Sequence, residues 1–475
     1  MEENGKIPEI AENEALARGD VDFSAGSVRG HILRLAVPMT AAQVISLMYS
    51  LVDRMYLGRL GDGTDSPAMT AIGIVLPVIS IFNSIASLCG FGGATLFSIS
   101  RGEKKREEAA KVMGNAFMLL LLFGVTLTLG VVVFLRPIIY AFGASDAIYP
   151  YAAQYLRIYT LGTVFVMVSH GMNPFINAQG AAKRGTLTVL LGAVVNIILD
   201  PIFIFLLDMG TAGAALATVI AQFCSFAWVL HYLIFTAPLR LKLRNMRLEA
   251  GRVRRIITLG VAGFVMNLTN SLIQIVCNRT LQMWGDIARV GGGDLYVGVM
   301  TVINAAREIV FMPVLGVAQG ATPVLSYNYG ARKFDRVREA IRFMAGVNIS
   351  YTLAFWAVIM LAPQIFIHIF TDGTDTIAAG LRSMRLYFAM SLFSSLQMTA
   401  QQTFMALGKP KPAIFFSLLR KVVIAAPLTL LLPWLGFGVD GVFLADTVSQ
   451  LVGGISCGAA MFITVYRASK KEGFR

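Results

Sequence analysis

The sequence has few charged residues, few cysteines and few histidines, and each shortage excludes a class of protein. Only 14% of its 475 residues are charged, whereas 56% are hydrophobic; soluble domains carry about 25% charged residues. The cysteines stand apart, without CxxC or Cys/His spacing, so neither a disulfide framework nor a metal site is indicated. With four scattered histidines and neither HExxH nor GxSxG, no intramembrane enzyme is indicated. The composition is that of a chain embedded in lipid. The cysteines are Cys89, Cys224, Cys277 and Cys457.

Positive charge is plentiful, and its placement decides what it means. The net charge is +13, which by itself would also suit a nucleic-acid-binding protein. Most Lys and Arg, however, fall in alternate connections between apolar runs, the pattern that marks the cytoplasmic side of a membrane protein. We therefore expect no nucleic-acid partner, a place in the cell (inner) membrane, and both termini in the cytoplasm. The internal basic clusters are 101–111, 183–184, 240–255, 332–342 and 409–421.

Twelve apolar stretches are each long enough to cross a bilayer as a helix, which takes about 20 residues. A polar segment at 238–254 divides them into two sets of six. We predict cytoplasmic tails at 1–30 and 468–475, an N-lobe at 31–237 and a C-lobe at 255–467. The predicted spans are 31–58, 68–98, 113–141, 151–178, 186–208, 212–237, 255–284, 295–326, 341–370, 381–407, 413–434 and 440–466.

The two halves repeat one another. Gly93-Ala94-Thr95 recurs as Gly320-Ala321-Thr322, and five later residues recur 228 positions on. Because each repeat has an even number of spans, both insert with the same orientation, which predicts a pseudo-two-fold axis along the membrane normal. The five residues are Gly102, Gly180, Gly213, Ala217 and Gln222, repeated as Gly330, Gly408, Gly441, Ala445 and Gln450.

Four stretches together resemble the multidrug and toxic compound extrusion (MATE) family, particularly the branches containing DinF and MepA. They are LAVPMTAAQVISLMYSLVDRMYLGRLG, NAQGAAKRG with NIILDP, QGATPVLSYNYGARKFDRVREA, and ALGKPKP. The resemblance implies an all-α membrane protein with two six-helix bundles in a V shape. It also implies alternating access and export of amphipathic, cationic organic compounds, as in antibiotic resistance, against H⁺ or Na⁺. We expect a monomer in the lipid bilayer, with no cofactor beyond the coupling ion and no resident metal.

Acids inside the spans are the first candidates for coupling, since an ionisable group costs a few kcal/mol in the bilayer. Asp53 lies in the outer half of the first span, where it alternatively pairs with a neighbouring arginine at the interface. Asp200 lies deep in the fifth span with Asn196 four residues earlier on the same face. Pro201 frees a backbone carbonyl beside them, so the group suits Na⁺ or a proton. The alternative is a kink whose polar groups satisfy one another.

The family resemblance implies a cation pocket in the N-lobe that combines the first-span acid with the Asn-x-x-x-Asp of the fifth. Tyr155, Asn173 and Thr218 match further pocket positions, although each also suits an ordinary role as an interfacial aromatic, a helix cap or a local hydrogen bond. Another family branch uses acids in the seventh and tenth spans. Here 255–284 and 386–407 contain none, which argues against a cation site in the C-lobe.

Pro38 is the predicted bend of the first span, because a proline removes one helical hydrogen bond. Our hypothesis is that neutralising Asp53 or Asp200 breaks contacts that hold this helix straight, and that its bending expels substrate.

In the second half, Arg307 and Glu308 lie well inside the eighth span. Glu308 either attracts a cationic substrate or forms a buried ion pair with Arg279, Arg382 or Arg385. The aromatic and thioether side chains nearby predict an adaptable substrate wall. Those chosen as substrate-cleft residues are Met266, Phe311 and Met312.

Two other functions are open. A flippase of lipid-linked or amphipathic molecules is the main alternative, but such proteins carry cationic cavities for phosphate, whereas the candidates above are mainly acids and amides. A receptor or structural role leaves the repeat and the intramembrane carboxylates unexplained.

Overall fold

The computed structural model describes residues 21–58, 67–142, 144–368 and 374–470, and all regular secondary structure in these ranges is helical. It contains twelve successive helical stretches, numbered here as the first to twelfth span, so the predicted fold class is confirmed. They are Val28–Gly58; Pro67–Gly102; Arg106–Val133 with Leu135–Ala141; Tyr149–Leu161 with Thr163–Ala178; Ala182–Pro201 with Ile202–Leu206; Gly210–His231 with Tyr232–Thr236; Ala250–Ala288; Gly292–Gly330; Phe334–Leu361 with Pro363–His368; Thr374–Phe388 with Ser391–Ala406; Pro410–Leu418 with Leu419–Ala425, Ala426–Leu432 and Pro433–Phe437; and Gly438–Met461 with Phe462–Arg467.

Breaks within helices explain why the described residues contain fewer uninterrupted apolar stretches than spans. In the described residues, nine helical stretches are long and apolar enough to cross a membrane unaided. The fourth and tenth spans consist of two shorter helices each, broken at Gly162 and at 389–390. The eleventh and twelfth together form one apolar stretch, Pro410–Arg467, but the chain turns between them at Gly436, whose φ is +96°.

The chain forms two compact units. One contains Val37–Val261, and the other contains Ala262 onward together with Gly26–Ala36. The first span therefore changes unit next to Pro38. Each unit has its own apolar core, built around Phe97 and Phe175 in the first and around Phe388 and Phe443 in the second. The predicted lobe and tail limits are not settled by this division and stay predictions.

The internal repeat is visible in the backbone. Each of four residues with positive φ in the first half has a positive-φ counterpart 228 positions later. Two of these residues, Lys104 and Asp208, are not glycines, so the left-handed conformation belongs to the turn and not to a freely flexible residue. The two halves therefore share turns as well as helices. The pairs are Lys104 and Arg332 (61° and 57°), Gly180 and Gly408 (86° and 69°), Asp208 and Gly436 (49° and 96°), and Gly210 and Gly438 (both 54°).

Candidate functional site

The polar residues of the fifth span meet a threonine of the sixth inside the first unit. Asn196 Nδ2 donates to Asp200 Oδ1 at 3.1 Å and lies 3.4 Å from Thr218 Oγ1. The Thr218 hydroxyl donates to the carbonyl of Ala214 in its own helix at 2.9 Å. Asp200 is 0% exposed, Asn196 1% and Thr218 7%. A carboxylate, an amide and a hydroxyl are thus held together, out of contact with lipid.

Small residues let the fifth and sixth spans approach closely enough for this contact. A Cβ on Gly192 would lie 2.6 Å from Ser225 Oγ, and one on Gly213 would lie 2.7 Å from the carbonyl of Phe203. The Ser225 hydroxyl also donates to the carbonyl of Thr188 at 3.1 Å, which joins the two helices one turn away from the glycine contact.

Pro201 is the last residue of the regular α-helix. The chain continues in a wider turn, Ile202–Leu206, closed by a hydrogen bond from the Leu207 amide to the carbonyl of Ile202 at 2.9 Å. Such i→i+5 turns are uncommon and recur at functional sites. The carboxylate of Asp200 therefore sits directly before the point where the helix changes its winding.

Two further predicted pocket residues end up in different places. Tyr155 is 5% exposed and belongs to the core cluster that contains Ile204 and Ala214, each four residues from a member of the polar group. Asn173 instead donates to the carbonyl of Gly185 at 3.3 Å. Gly185 precedes Asn196 by eleven residues, or about 16 Å of helix, so the structure does not bring Asn173 to this group.

The first span contacts the fifth at Pro38, its predicted point of bending. The hydroxyl of Thr186, near the start of the fifth span, donates to the carbonyl of Pro38 at 2.6 Å. The predicted hinge is therefore attached to the helix that carries Asp200. The side chain of the predicted first-span acid, Asp53, lies outside the described residues.

The arrangement suits a small cation. Asn196 Oδ1 is buried and accepts no hydrogen bond from the described residues, and it lies on the amide that also contacts Asp200. Oxygen ligands of this kind bind hard cations, and a carboxylate in such surroundings can alternatively take a proton. No three His, Cys, Asp or Glu side chains converge within the described part of the chain.

In the second unit, Arg307 is half-buried beside Tyr387, while Glu308 is exposed. Arg382 pairs with Asp440 at 2.6 Å, and among the described residues neither it nor the other two candidate arginines forms an ion pair with Glu308. That alternative finds no support. The other predicted cleft residues, Met266, Phe311 and Met312, are half-buried, and Phe311 packs against the apolar core.

The structure contains a charged network that the sequence analysis missed. Asp446 of the twelfth span accepts from Gln450 Nε2 at 2.6 Å and lies 3.6 Å from the Arg420 guanidinium. Arg420 also donates to Gln397 Oε1 at 3.1 Å. Arg420 and Lys421, counted above in the basic cluster 409–421, also fall inside the predicted span 413–434, and the structure places them within that span. They lie ten residues into a helix that begins at Pro410, about 15 Å along it.

An available signal was the repeat itself. Asp446 follows Thr218 by 228 positions, as Gln450 follows Gln222. Examining the counterpart of each candidate residue would have revealed an acid inside the twelfth span.

Comparison with known proteins gives a consistent result. The MatE family model matches residues 38–202 and 262–431. The multidrug export protein MepA of Staphylococcus saprophyticus is 23% identical over 445 residues, covering 94% of this chain and 95% of that protein. Crystal structures of MATE in the straight and bent conformations both have a TM-score of 0.86, at 23% and 22% identity, covering 94% of this chain and 98% of theirs.

The family match, the twelve spans and the inward-facing polar groups agree with one another. This chain belongs to the MatE family of membrane transporters, and it is a multi-pass transport protein, not an enzyme.

Proposed function

We propose that this protein exports amphipathic organic compounds, cations among them, by antiport against H⁺ or Na⁺. The export of varied compounds is supported by the family and by the name of the MepA relative. The coupling step is supported by one observation, the buried contact between Asp200 and Asn196 beside Thr218.

The chemistry follows from the position of Asp200. An ionised carboxylate inside a span is unfavourable by a few kcal/mol unless a cation or donors compensate it. In one state Asp200 holds the coupling ion with Asn196 and Thr218. In the other, the ion has left and the carboxylate depends on the Asn196 amide. Each exchange of ion changes the charge in the bundle and thereby shifts the equilibrium between the two accessible sides, while the ion gradient supplies the free energy.

The first span is the proposed moving element. Its helix contains Pro38, whose carbonyl accepts a hydrogen bond from the Thr186 hydroxyl. Rearrangement of the fifth span around Asp200 therefore reaches the hinge through a direct contact. Relatives of this fold are known in conformations described as straight and bent, which supports a bending step. Asp53 is the proposed first-span partner in this step.

The test is gradient-driven transport by the full chain in proteoliposomes. A fluorescent cationic dye is loaded, and proton and sodium gradients are imposed separately. Wild type is compared with Asp200→Asn, which keeps the size of the side chain and removes its charge. Asp208→Asn is the matched control, because Asp208 is exposed near the end of the same helix and has a φ of 49°, a conformation that asparagine tolerates well.

We expect Asp200→Asn to lower gradient-driven transport at least tenfold and Asp208→Asn to leave it near the wild-type level. The gradient to which the wild type responds identifies the ion. Dye movement that is indifferent to both gradients contradicts antiport, and full activity of Asp200→Asn contradicts the assignment of the site.

The same proposal includes a monomer in the cell membrane with both termini in the cytoplasm. Support for the orientation comes from the basic connections after the second, sixth and eighth spans, which lie on one side if every span crosses. Protease accessibility of tags at each terminus, in intact cells and in inverted vesicles, tests the orientation. Cleavage of either tag in intact cells contradicts it.

A further inference from the structure

The second unit contains more positive than negative charge at the middle of its spans. Arg307, Arg420 and Lys421 lie within electrostatic range of Asp446, and all four side chains are half-buried. Arg420 and Lys421 lie about 15 Å from the start of the eleventh span, and Asp446 lies about 12 Å from the start of the twelfth. The group is therefore well inside the protein and far from the headgroup region at either end.

The one acid does not balance the three bases. Asp446 is shared between Arg420 and Gln450. The hydrogen bond of Lys421 goes to the backbone carbonyl of Met266 at 3.0 Å, and among the described residues no carboxylate lies within ion-pair distance of it. With all three bases protonated, adding the exposed Glu308, which makes no ion pair with a described residue, still leaves one positive charge in excess. Uncompensated charge at this depth is costly, so a further, anionic component is expected.

The space for this group is built into the fold. A Cβ on Gly453 would lie 3.0 Å from Arg420 Cβ, from its Cδ and from Gln397 Oε1. In the first half the equivalent pair, 228 positions earlier, is Gly192 against Ser225. In the first half the glycine lies on the fifth span. In the second half it lies on the twelfth span, and the residue that it faces on the eleventh span is an arginine. A glycine that admits a guanidinium into a membrane span indicates a specific site.

We propose that this cluster binds the anionic group of an amphipathic molecule, a phosphate, sulfonate or carboxylate carried on an apolar body. Lys421 and Arg307 supply the charge that contacts the anion, because within the described ranges neither forms an ion pair with a carboxylate. Arg420 is held in place by Asp446 and Gln397 and acts as a positioning residue. The inference deepens the proposed export function by widening the substrate class to anionic and zwitterionic amphiphiles.

Binding is tested on the full chain in nanodiscs of neutral phosphatidylcholine. The probe is a dansyl-labelled dodecyl phosphate, and its matched partner has the same chain and fluorophore with a trimethylammonium group. Dissociation constants are measured by fluorescence anisotropy for wild type, Lys421→Gln and Arg307→Gln. Lys411→Gln is the control, since Lys411 is exposed at the start of the same helix.

We expect the phosphate probe to bind wild type and to bind Lys421→Gln and Arg307→Gln about tenfold more weakly, as the loss of a charge-assisted hydrogen bond implies. Binding of the ammonium probe should not weaken in these variants, and Lys411→Gln should bind both probes as wild type does. Equal loss for both probes would show a packing defect and overturn the proposal. So would phosphate binding that is absent or insensitive to both substitutions.

Competition separates two sources of the anion. Displacement of the probe by phosphatidylglycerol placed in the nanodisc identifies a lipid headgroup, and displacement by inorganic phosphate identifies a free anion. Either supports the site. Gradient-driven export of the cationic dye without phosphate-probe binding refutes this inference alone, whereas probe binding without any gradient-driven export refutes the proposed function alone.

Discussion

Equivalent positions in the two halves contain different chemistry on the same backbone. Where the first half has Gly192 facing Ser225, the second has Arg420 facing Gly453. The neutral hydroxyl of Thr218 corresponds to the carboxylate of Asp446. The turns around these residues have kept their left-handed backbone positions. Substitution at a few helix contacts, with the frame unchanged, has therefore produced two different polar sites.

The difference shows how each half stabilises its buried acid. In the first, Asp200 is fully buried, and the Asn196 amide that donates a hydrogen bond to it is neutral. In the second, Asp446 is half-buried and is compensated by the guanidinium of Arg420. A carboxylate with a permanent cationic partner is poorly suited to release and take up ions, because its counter-ion is covalently part of the protein. This contrast supports the two proposals made above, ion exchange in the first half and recognition of ligand charge in the second.

Breaking the Arg420–Asp446 pair should have the largest effect on stability. Arg420→Gln leaves Asp446 without its cation inside the bundle, and we expect a loss of about 3 kcal/mol in the free energy of unfolding, measured by unfolding in mixed detergent micelles. The double variant with Asp446→Asn should recover most of that loss. Arg382→Gln breaks an ion pair whose arginine is 75% exposed, and as the control it should cost less than about 1 kcal/mol. If Arg420→Gln costs no more than this control, the pair is not structurally important.

Exchanging the small residues tests the comparison directly. Gly453→Ser places a Cβ 3.0 Å from the Arg420 side chain, and we expect a loss of about 2 kcal/mol from overpacking. Recreating the first-half set with Arg420→Gly, Gly453→Ser and Asp446→Thr removes both the clash and the lone acid. The triple variant should therefore unfold less easily than Gly453→Ser alone. A triple variant that is no more stable would mean that the two halves pack differently at this contact.

Removing the amide should weaken the first half by a smaller amount. Asn196→Ala deletes the donor to Asp200 and the contact with Thr218, and we expect about 1.5 kcal/mol lower stability together with reduced gradient-driven transport. Asn267→Ala is the control, since Asn267 is exposed on the seventh span. Unchanged transport in Asn196→Ala would show that Asp200 works without this neighbour, contrary to the assignment above.

The sequence predicts the spans, the repeat and one site contact well, for clear physical reasons. Apolar length and loop charge determine which segments cross the bilayer, and i, i+4 spacing places Asn196 and Asp200 on one helix face. The sequence is a poor guide to contacts that depend on packing between helices. The contact of Thr218 with Asn196 requires two spans to meet, and the position of Asn173 depends on which turn of the fifth span it reaches.

The clearest failure concerns two basic residues that lie within a predicted span but were counted with the charges of the connection before it. Lys409 and Lys411 belong to the connection before the eleventh span, so Arg420 and Lys421 were assigned to the same basic cluster. Hydropathy averaged over some 20 residues tolerates two such charges, so the predicted span 413–434 contains both residues, and the helix bounds place them about 15 Å from Pro410.

The smallest expected effect concerns the hinge of the first span. Thr186→Val keeps the shape of the side chain and deletes the hydrogen bond to the Pro38 carbonyl, which should cost about 1 kcal/mol or less. Its importance lies in the bending equilibrium, because Thr186 directly joins the fifth span to the hinge.

The measurement uses spin labels at Met48 and Ile198, both exposed, in a chain whose native cysteines are replaced by alanine. The labels report the distance between the first and fifth spans at low and high pH. In the wild type we expect two distance populations that exchange with pH, and in Thr186→Val a smaller response. Thr301→Val, which removes an exposed hydroxyl bonded within its own helix, should respond as wild type does. An unaltered response in Thr186→Val would separate the hinge from the fifth span and leave Asp53 as the remaining link between ion exchange and bending.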